Sequence, residues 1–88
     1  MLGLIGGGYW GKNLVRVFND HSVLKTICEI NDDLIEKYNV DYPDITITKS
    51  FDEMLSDPTI TMICVSLPAP MHYEYGYKVL NAGKHLYV

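Results

Sequence analysis

The sequence predicts an α/β fold, a doubly wound parallel sheet with helices on both faces. Strand-like and helix-like segments alternate along the 88 residues. Residues 62–65 run without a polar side chain, which is typical of a strand that is buried on both faces. The length allows one small domain, and a chain with 48% hydrophobic and 20% charged residues is globular and not disordered.

Five short strands are predicted, at residues 2–5, 23–30, 45–48, 60–66 and 85–88. The alternation predicts a right-handed doubly wound sheet, for which the strand order 3-2-1-4-5 is expected. In that order Cys28 and Cys64 lie two strand spacings apart, roughly 9–10 Å. A disulfide needs Cα atoms within ~7 Å, so we expect two free thiols.

Four helices are predicted between the strands: residues 11–19, the segment after Asn31, the segment between Ser50 and Pro58, and about 70–82. Asn31 is a favourable N-cap, and Ser50 with Glu53 forms a predicted capping box. In the last helix four residues are expected to share the inward face, with Glu74 and Lys78 as an outward ion pair. These four are Tyr73, Gly76, Tyr77 and Leu80.

The motif G-x-G-x-x-G lies between the first strand and the first helix, as Gly6, Gly8 and Gly11. Gly6 allows a sharp turn, Gly8 lets the backbone approach a pyrophosphate, and Gly11 permits close packing of helix on strand. The phosphates would bind the free N–H groups at the helix N-terminus. Glycine is also common at tight turns, so the motif alone does not establish a dinucleotide-binding site. Residues elsewhere in the sequence must support that interpretation.

An acidic residue supplies that context, because Glu29 follows Gly11 by eighteen residues, at the predicted end of the second strand. A carboxylate at this place accepts hydrogen bonds from the ribose hydroxyls of an adenosine. Residues 30–33 contain no Arg or Lys to receive a 2′-phosphate. The sequence therefore predicts one dinucleotide-binding domain over residues 1–88 that prefers NAD to NADP, with Asn31 among the cofactor-contacting residues.

Two further segments complete the predicted site. Tyr9 and Trp10, inside the glycine motif, either shield the cofactor or pack against a neighbouring domain. The loop after the fourth strand contributes four candidate residues at the carboxyl edge of the sheet, where open α/β folds bind ligands. These are Ser66, Leu67, Pro68 and His72, of which His72 either contacts the ligand or caps backbone.

Charge and composition argue against several other classes of function. The formal charge is −4 with no basic cluster, so we expect neither nucleic-acid nor membrane binding. No apolar run approaches the ~20 residues of a spanning helix. The cysteines and histidines lack metal-ligand spacing, so no metal site is predicted. The start of the chain does not have the pattern of a signal peptide, and a cytoplasmic location is expected.

Three segments resemble the Gfo/Idh/MocA oxidoreductases, the glucose–fructose oxidoreductase and inositol dehydrogenase family. They are residues 4–16, residues 65–68 followed by His72, which are similar to A-T-P-x-x-x-H, and residues 81–86, which are similar to L-x-A-G-K-H-V. The resemblance implies a Rossmann domain whose glycine motif, ribose-binding acid, loop proline and helix histidine are Gly6, Gly8, Gly11, Glu29, Pro68 and His72. Leu67 departs from the usual threonine.

The resemblance also implies hydride transfer between nicotinamide and a carbon of a sugar, cyclitol or nucleotide sugar. Family members carry a second domain that binds this substrate, and they form dimers or tetramers. The family's catalytic E-K-P segment would begin after Val88, and the last strand and substrate domain are not in this sequence. We therefore expect the 88 residues to bind NAD without turnover, to contain no catalytic residue, and to expose an edge strand that invites association or instability.

Two alternatives stay open from the residues alone. An S-adenosylmethionine methyltransferase also uses a glycine-rich first loop and an acidic residue after the second strand. The Pro-x-Pro loop and the missing acid before the glycines weigh against it. A non-catalytic module that senses NAD for a partner would need the same binding site and no catalytic lysine.

Overall fold

A sheet of five parallel strands, in the order β3-β2-β1-β4-β5, forms the centre of the molecule and confirms the predicted topology. The computed structural model describes the backbone of residues 1–88 and the side chains of all of them except residues 9 and 10. The elements are β1 (Leu2–Ile5), α1 (Tyr9–Asp20), β2 (Leu24–Cys28), α2 (Asp32–Asp41), β3 (Thr46–Thr48), α3 (Phe51–Ser56), β4 (Met62–Val65), α4 (His72–Asn81) and β5 (His85–Tyr87), with a 3₁₀ turn at Ala69–Met71.

The central strand β1 pairs in parallel with β2 on one side and β4 on the other, so that Leu4 lies opposite both Ile27 and Cys64. The carboxyl ends of the three strands therefore meet at one edge of the sheet. The segments beginning at Gly6, Glu29 and Ser66 follow these strands directly. This register brings the three predicted parts of the site together.

Each face of the sheet has its own hydrophobic core. Helices α1 and α2 cover one face, where Val15 and Tyr38 pack with Leu4 and Ile27. Helices α3 and α4 cover the other face, with these buried residues: Ile5, Cys28, Met54, Ile60, Ile63, Val65 and Val79. The side chains of β4 divide between the two cores because successive residues of a strand point to opposite faces.

Strand β1 has the predicted bounds, the other four strands are shorter than the sequence pattern predicts, and α1 is longer. Helix α1 begins at Tyr9, two residues before the predicted start, because Gly8 serves as its N-cap. Strand β2 ends at Cys28. Met62 at the start of β4 is 37% exposed, so burial on both faces holds for the rest of that strand and not for its first residue.

The predicted inward face of α4 is wrong for three of its four residues. Tyr73, Tyr77 and Leu80 are exposed, and the two tyrosine rings stack on each other at the surface with centroids 6.3 Å apart. Gly76 is buried because Leu86 of β5 approaches it, and a Cβ there would lie 3.0 Å from Leu86 Cδ2. The helix therefore turns Gly76 and Val79 toward the sheet, with Tyr75 packed against the same core, and leaves Tyr73 and Tyr77 at the surface.

The predicted N-cap of α2 and the predicted ion pair on α4 are confirmed. Asn31 Oδ1 accepts a hydrogen bond from the N–H of Leu34 at 3.0 Å, as an N-cap does. Lys78 Nζ lies 3.6 Å from Glu74 Oε1. Both interactions are exposed and local, so sequence spacing is enough to predict them.

The capping box at α3 is formed only in part. Ser50 Oγ accepts the N–H of Glu53 at 3.1 Å, as predicted. The reciprocal bond is absent, because the N–H of Ser50 donates to Thr48 Oγ1 at 3.1 Å. The Glu53 carboxylate instead accepts the Thr48 hydroxyl at 3.1 Å. Thr48, at the end of β3, therefore takes the place of one half of the box.

The two cysteines are free and buried, as expected. Burial raises the pKa of each thiol to about 11, so both are neutral at physiological pH. The described side chains include no group of three or more His, Cys, Asp and Glu arranged to hold a metal ion. None of the described helices has both the length and the apolar run needed to cross a membrane.

Candidate functional site

The turn after β1 requires glycine at Gly6. Its φ is +91°, a conformation that L-residues with a side chain rarely adopt. A Cβ at Gly6 would also overlap the carbonyl oxygen of Ser66 in the loop after β4. The N–H of Gly6 donates to the carbonyl oxygen of Cys28 at 3.1 Å, which ties the turn to the end of β2.

Gly8 and Gly11 differ in what surrounds them. Gly11 is buried in the first turn of α1, where a Cβ would overlap the carbonyl oxygen of Gly6. Gly8 is exposed, and a Cβ there would meet no atom within 4 Å. Gly11 thus allows the helix to pack on the turn, while Gly8 leaves an open approach to the backbone.

The N-terminus of α1 faces this open approach. Gly8 is the N-cap, and no side-chain hydrogen bond caps the described part of this helix end. The N–H groups of a first helical turn carry partial positive charge and bind phosphate when no side chain occupies them. The backbone here therefore fits a diphosphate. The side chains of Tyr9 and Trp10 lie outside the described residues, so their predicted role stays a prediction.

The carboxylate of Glu29 connects the end of β2 to the glycine turn. Its Oε1 accepts the N–H of Gly7 at 2.7 Å, and its Oε2 accepts the N–H groups of Ile30 at 2.9 Å and Asn31 at 3.1 Å. A carboxylate offers about four acceptor positions, so three internal bonds leave room for one more donor. A ribose hydroxyl is a donor of the right kind.

Tyr38 is a functional candidate that the sequence reasoning missed. Its hydroxyl donates to the carbonyl oxygen of Gly7 at 2.5 Å from within the core below α2. The apolar spacing of α2 predicts that Tyr38 points inward, but no signal in the sequence connects it with the glycine turn.

The loop after β4 forms the opposite wall of the site. The N–H of Ser66 donates to the carbonyl oxygen of Ile5 at 2.8 Å, which continues the β1–β4 pairing. His72 Nε2 lies 2.7 Å from the carbonyl oxygen of Leu67, which is hydrogen-bonding distance. The imidazole therefore ties the start of α4 to the backbone of the loop after β4. Pro68 caps the following 3₁₀ turn. Of the two readings of His72, the structure shows the backbone contact.

Two cavities meet at Gly8. The larger, about 690 Å³, extends from Gly8 along α1 to the loop after β4 and to β5, and its wall is mostly apolar. The smaller, about 440 Å³, lies between α1 and α2, and Lys12 and Arg16 are among its lining residues. The larger cavity has the size and polarity that are typical of a small-molecule site.

A parallel sheet in this order, with a glycine turn after its first strand and a carboxylate after its second, defines a Rossmann dinucleotide-binding domain. Residues 1–88 match the model of a family described as the oxidoreductase family with an NAD-binding Rossmann fold, GFO_IDH_MocA. The chain belongs to this family, and the resemblance found in its sequence motifs is confirmed.

Similar proteins include an enzyme of Bacillus subtilis, scyllo-inositol 2-dehydrogenase (NADP(+)) IolW, which is 30% identical over 96% of this chain and 22% of its own. A solved structure of the oxidoreductase yvaA from Bacillus subtilis is 25% identical over 97% of this chain and 25% of its own, with a TM-score of 0.85. Levoglucosan dehydrogenase in complex with NADH is 25% identical over 97% of this chain and 26% of its own, with a TM-score of 0.80. The chain thus spans about a quarter of the length of the proteins it matches.

Proposed function

We propose that this chain binds NAD across the carboxyl edge of the sheet, with the diphosphate on the N-terminus of α1. The observation that carries the proposal is the position of the Glu29 carboxylate, 2.7 Å from the N–H of Gly7. One acidic group thereby lies beside both the phosphate-binding turn and the expected place of the adenosine ribose. The nicotinamide end would occupy the larger cavity beyond Gly8.

The residues proposed for the cofactor site are those that the sequence predicts. They have distinct roles in binding the cofactor or shaping its site. Gly6 and Gly11 shape the turn, and Gly8 offers its backbone. The side chains of Asn31 and His72 already bond to backbone, so they support the walls of the site. The complete proposed set is Gly6, Gly8, Tyr9, Trp10, Gly11, Glu29, Asn31, Ser66, Leu67, Pro68 and His72.

NAD is proposed over NADP because of charge. The Glu29 carboxylate would lie close to a 2′-phosphate and repel it, and residues 30–33 provide no cation to offset the repulsion. The name of the Bacillus subtilis relative includes NADP(+), so this preference needs a direct comparison of the two cofactors.

The proposed reaction is hydride transfer between nicotinamide and a carbon that carries a hydroxyl group in a sugar, cyclitol or nucleotide sugar. Membership of an oxidoreductase family supports it, as do the inositol and levoglucosan in the names of two similar enzymes. Among the described residues that line the larger cavity, only His72 and Tyr87 are titratable, and His72 is bonded to Leu67. We therefore propose that these 88 residues by themselves bind NAD without turnover.

Calorimetric titration of the 88-residue chain tests the proposal with NAD, NADP and S-adenosylmethionine as separate ligands. We expect saturable binding of NAD, weaker binding of NADP and none of S-adenosylmethionine. Absence of NAD binding would contradict the proposed function, and tighter binding of NADP would contradict the proposed role of Glu29. Formation of NADH with any sugar or cyclitol would show that the 88 residues contain a catalytic base.

A further inference from the structure

We propose that Tyr38 is a positioning residue that aims the N–H of Gly8 at the diphosphate of the bound dinucleotide. The inference rests on the proposed function and adds to it a residue that lies behind the site and does not touch the ligand.

The contacts of Tyr38 place it directly against the glycine turn. The side chain is 3% exposed, and its hydroxyl donates to the carbonyl oxygen of Gly7 at 2.5 Å. The ring also packs on the same residue, since a Cβ at Gly7 would lie 2.5 Å from Tyr38 Cε2. Tyr38 therefore contacts one peptide group both by a hydrogen bond and by packing.

Because a peptide group is planar, the contact of Tyr38 with the Gly7 carbonyl also sets the direction of the Gly8 N–H. The carbonyl of Gly7 and the N–H of Gly8 belong to one planar unit, and in a trans peptide they point in opposite directions. None of the peptide bonds in the described part of the chain is cis. When Tyr38 holds the Gly7 carbonyl toward the core, the Gly8 N–H must point away from the core. Gly8 is itself exposed, and a Cβ built on it would meet no atom within 4 Å.

Glu29 fixes the preceding peptide unit in the same manner. It accepts the N–H of Gly7, which is planar with the carbonyl of Gly6. The two units on either side of the Gly7 Cα are thus held from opposite ends, one through its N–H and one through its C=O. A donor that is already oriented loses less entropy when the anion binds.

The Tyr38 hydroxyl remains a hydrogen-bond donor under physiological conditions. Burial, with a smaller contribution from the nearby Glu29 carboxylate, raises the pKa of Tyr38 to about 12. The phenol therefore stays protonated at physiological pH and can donate its hydrogen bond to Gly7.

The test compares Tyr38→Phe with Tyr42→Phe, since Tyr42, the C-cap of α2, has its ring centroid 6.1 Å from that of Tyr38. NAD, ADP and adenosine are the probes, because adenosine keeps the ribose and lacks phosphate. Tyr38→Phe keeps the ring and removes one hydrogen bond, so we expect about three- to tenfold weaker binding of NAD and ADP. Adenosine binding should stay unchanged, and Tyr42→Phe should bind all three probes like the unmodified chain. In ¹⁵N spectra, the Gly8 amide signal should move in Tyr38→Phe.

The possible results distinguish a failure of the positioning role of Tyr38 from a failure of the proposed NAD binding. If the unmodified chain does not bind NAD, the proposed function fails and Tyr38 has no ligand to position. If NAD binds and Tyr38→Phe weakens all three probes equally, or none of them, the positioning role alone is wrong. A Tyr38→Phe chain that no longer folds would also overturn it, because the hydroxyl would then serve the core and not the turn.

Discussion

Gly11 packs against Gly6 so closely that the helix and the turn share no space for a methyl group: a Cβ at Gly11 would overlap the Gly6 carbonyl oxygen. Gly11→Ala is therefore expected to lower the free energy of unfolding by about 1–3 kcal/mol, the usual range for overpacking a buried position. Urea unfolding monitored by circular dichroism measures the change. An unfolding midpoint equal to that of the unmodified chain would contradict this packing.

Gly8→Ala is the matched comparison for Gly11→Ala, because a Cβ at Gly8 meets no atom within 4 Å. Its effect on stability should be less than about 1 kcal/mol, since only N-cap preference changes. NAD binding should nevertheless weaken strongly, because the methyl group would occupy the approach of the diphosphate. Calorimetry on both variants checks the contrast, and a Gly8→Ala chain with unchanged NAD affinity would place the diphosphate elsewhere.

Glu29→Gln removes the negative charge and keeps the shape of the side chain. Charged hydrogen bonds contribute about 1.5–3 kcal/mol, so NAD binding should weaken by about tenfold or more. The preference for NAD over NADP should shrink, because the 2′-phosphate no longer meets a carboxylate. Glu36→Gln, an exposed position on α2, serves as the control. A Glu29→Gln chain with an unchanged NAD/NADP ratio would refute the role assigned to this residue.

Lys84 stabilises the segment between α3 and β4 from the far edge of the sheet. Its ammonium donates to the carbonyl oxygens of Asp57 at 2.8 Å and Ile60 at 2.5 Å. Lys84→Met leaves both without this partner, and we expect a loss of about 1–3 kcal/mol in unfolding free energy. Lys49→Met should change stability by less than about 1 kcal/mol, because the Lys49–Asp32 pair is exposed. Equal losses of unfolding free energy in Lys84→Met and Lys49→Met would contradict this expectation.

Acid should weaken the same segment through Asp57. The hydrogen bond from Lys25, helped by those from Thr59, holds the pKa of the Asp57 carboxyl well below its usual range. A carboxyl whose pKa is lowered by folding contributes stability above its unfolded pKa, and this contribution disappears as the pH falls toward the folded value. The stability difference between the unmodified chain and Asp57→Asn should therefore be largest at neutral pH and shrink below about pH 4. Urea unfolding at a series of pH values measures it, and a constant difference would contradict the shift.

The sequence was sufficient to predict the strand order and the roles of Gly6 and Gly11. The alternation of strands and helices predicts the doubly wound sheet in which this order was expected, and the glycine roles follow from the absence of a side chain where the chain must turn or pack. Asn31 was predictable as an N-cap because its partner is three residues away.

The parts that were missed depend on contacts between distant segments. Helical spacing places Tyr38 on the inner face of α2, but only the register of β1 and β2 brings its hydroxyl to Gly7. On α4, Gly76 and Val79 are the buried residues, and the approach of Leu86 from β5 to Gly76 is a contact that helical spacing alone does not show. The half-formed box at Ser50 is an exception, because the competing acceptor, the Thr48 hydroxyl, is only two residues away in the chain.

The position of β1 has a consequence for how the site persists as the protein fluctuates. Fraying begins at the outermost strands, here β3 and β5, while the middle strand opens only when the whole domain does. The glycine turn continues directly from that middle strand, and Gly6 is hydrogen-bonded to Cys28 beside it. Amide protons of Leu4 and Ile5 should thus be among the last to exchange with deuterium. The anion-binding turn should stay folded when β3 or β5 unfolds locally.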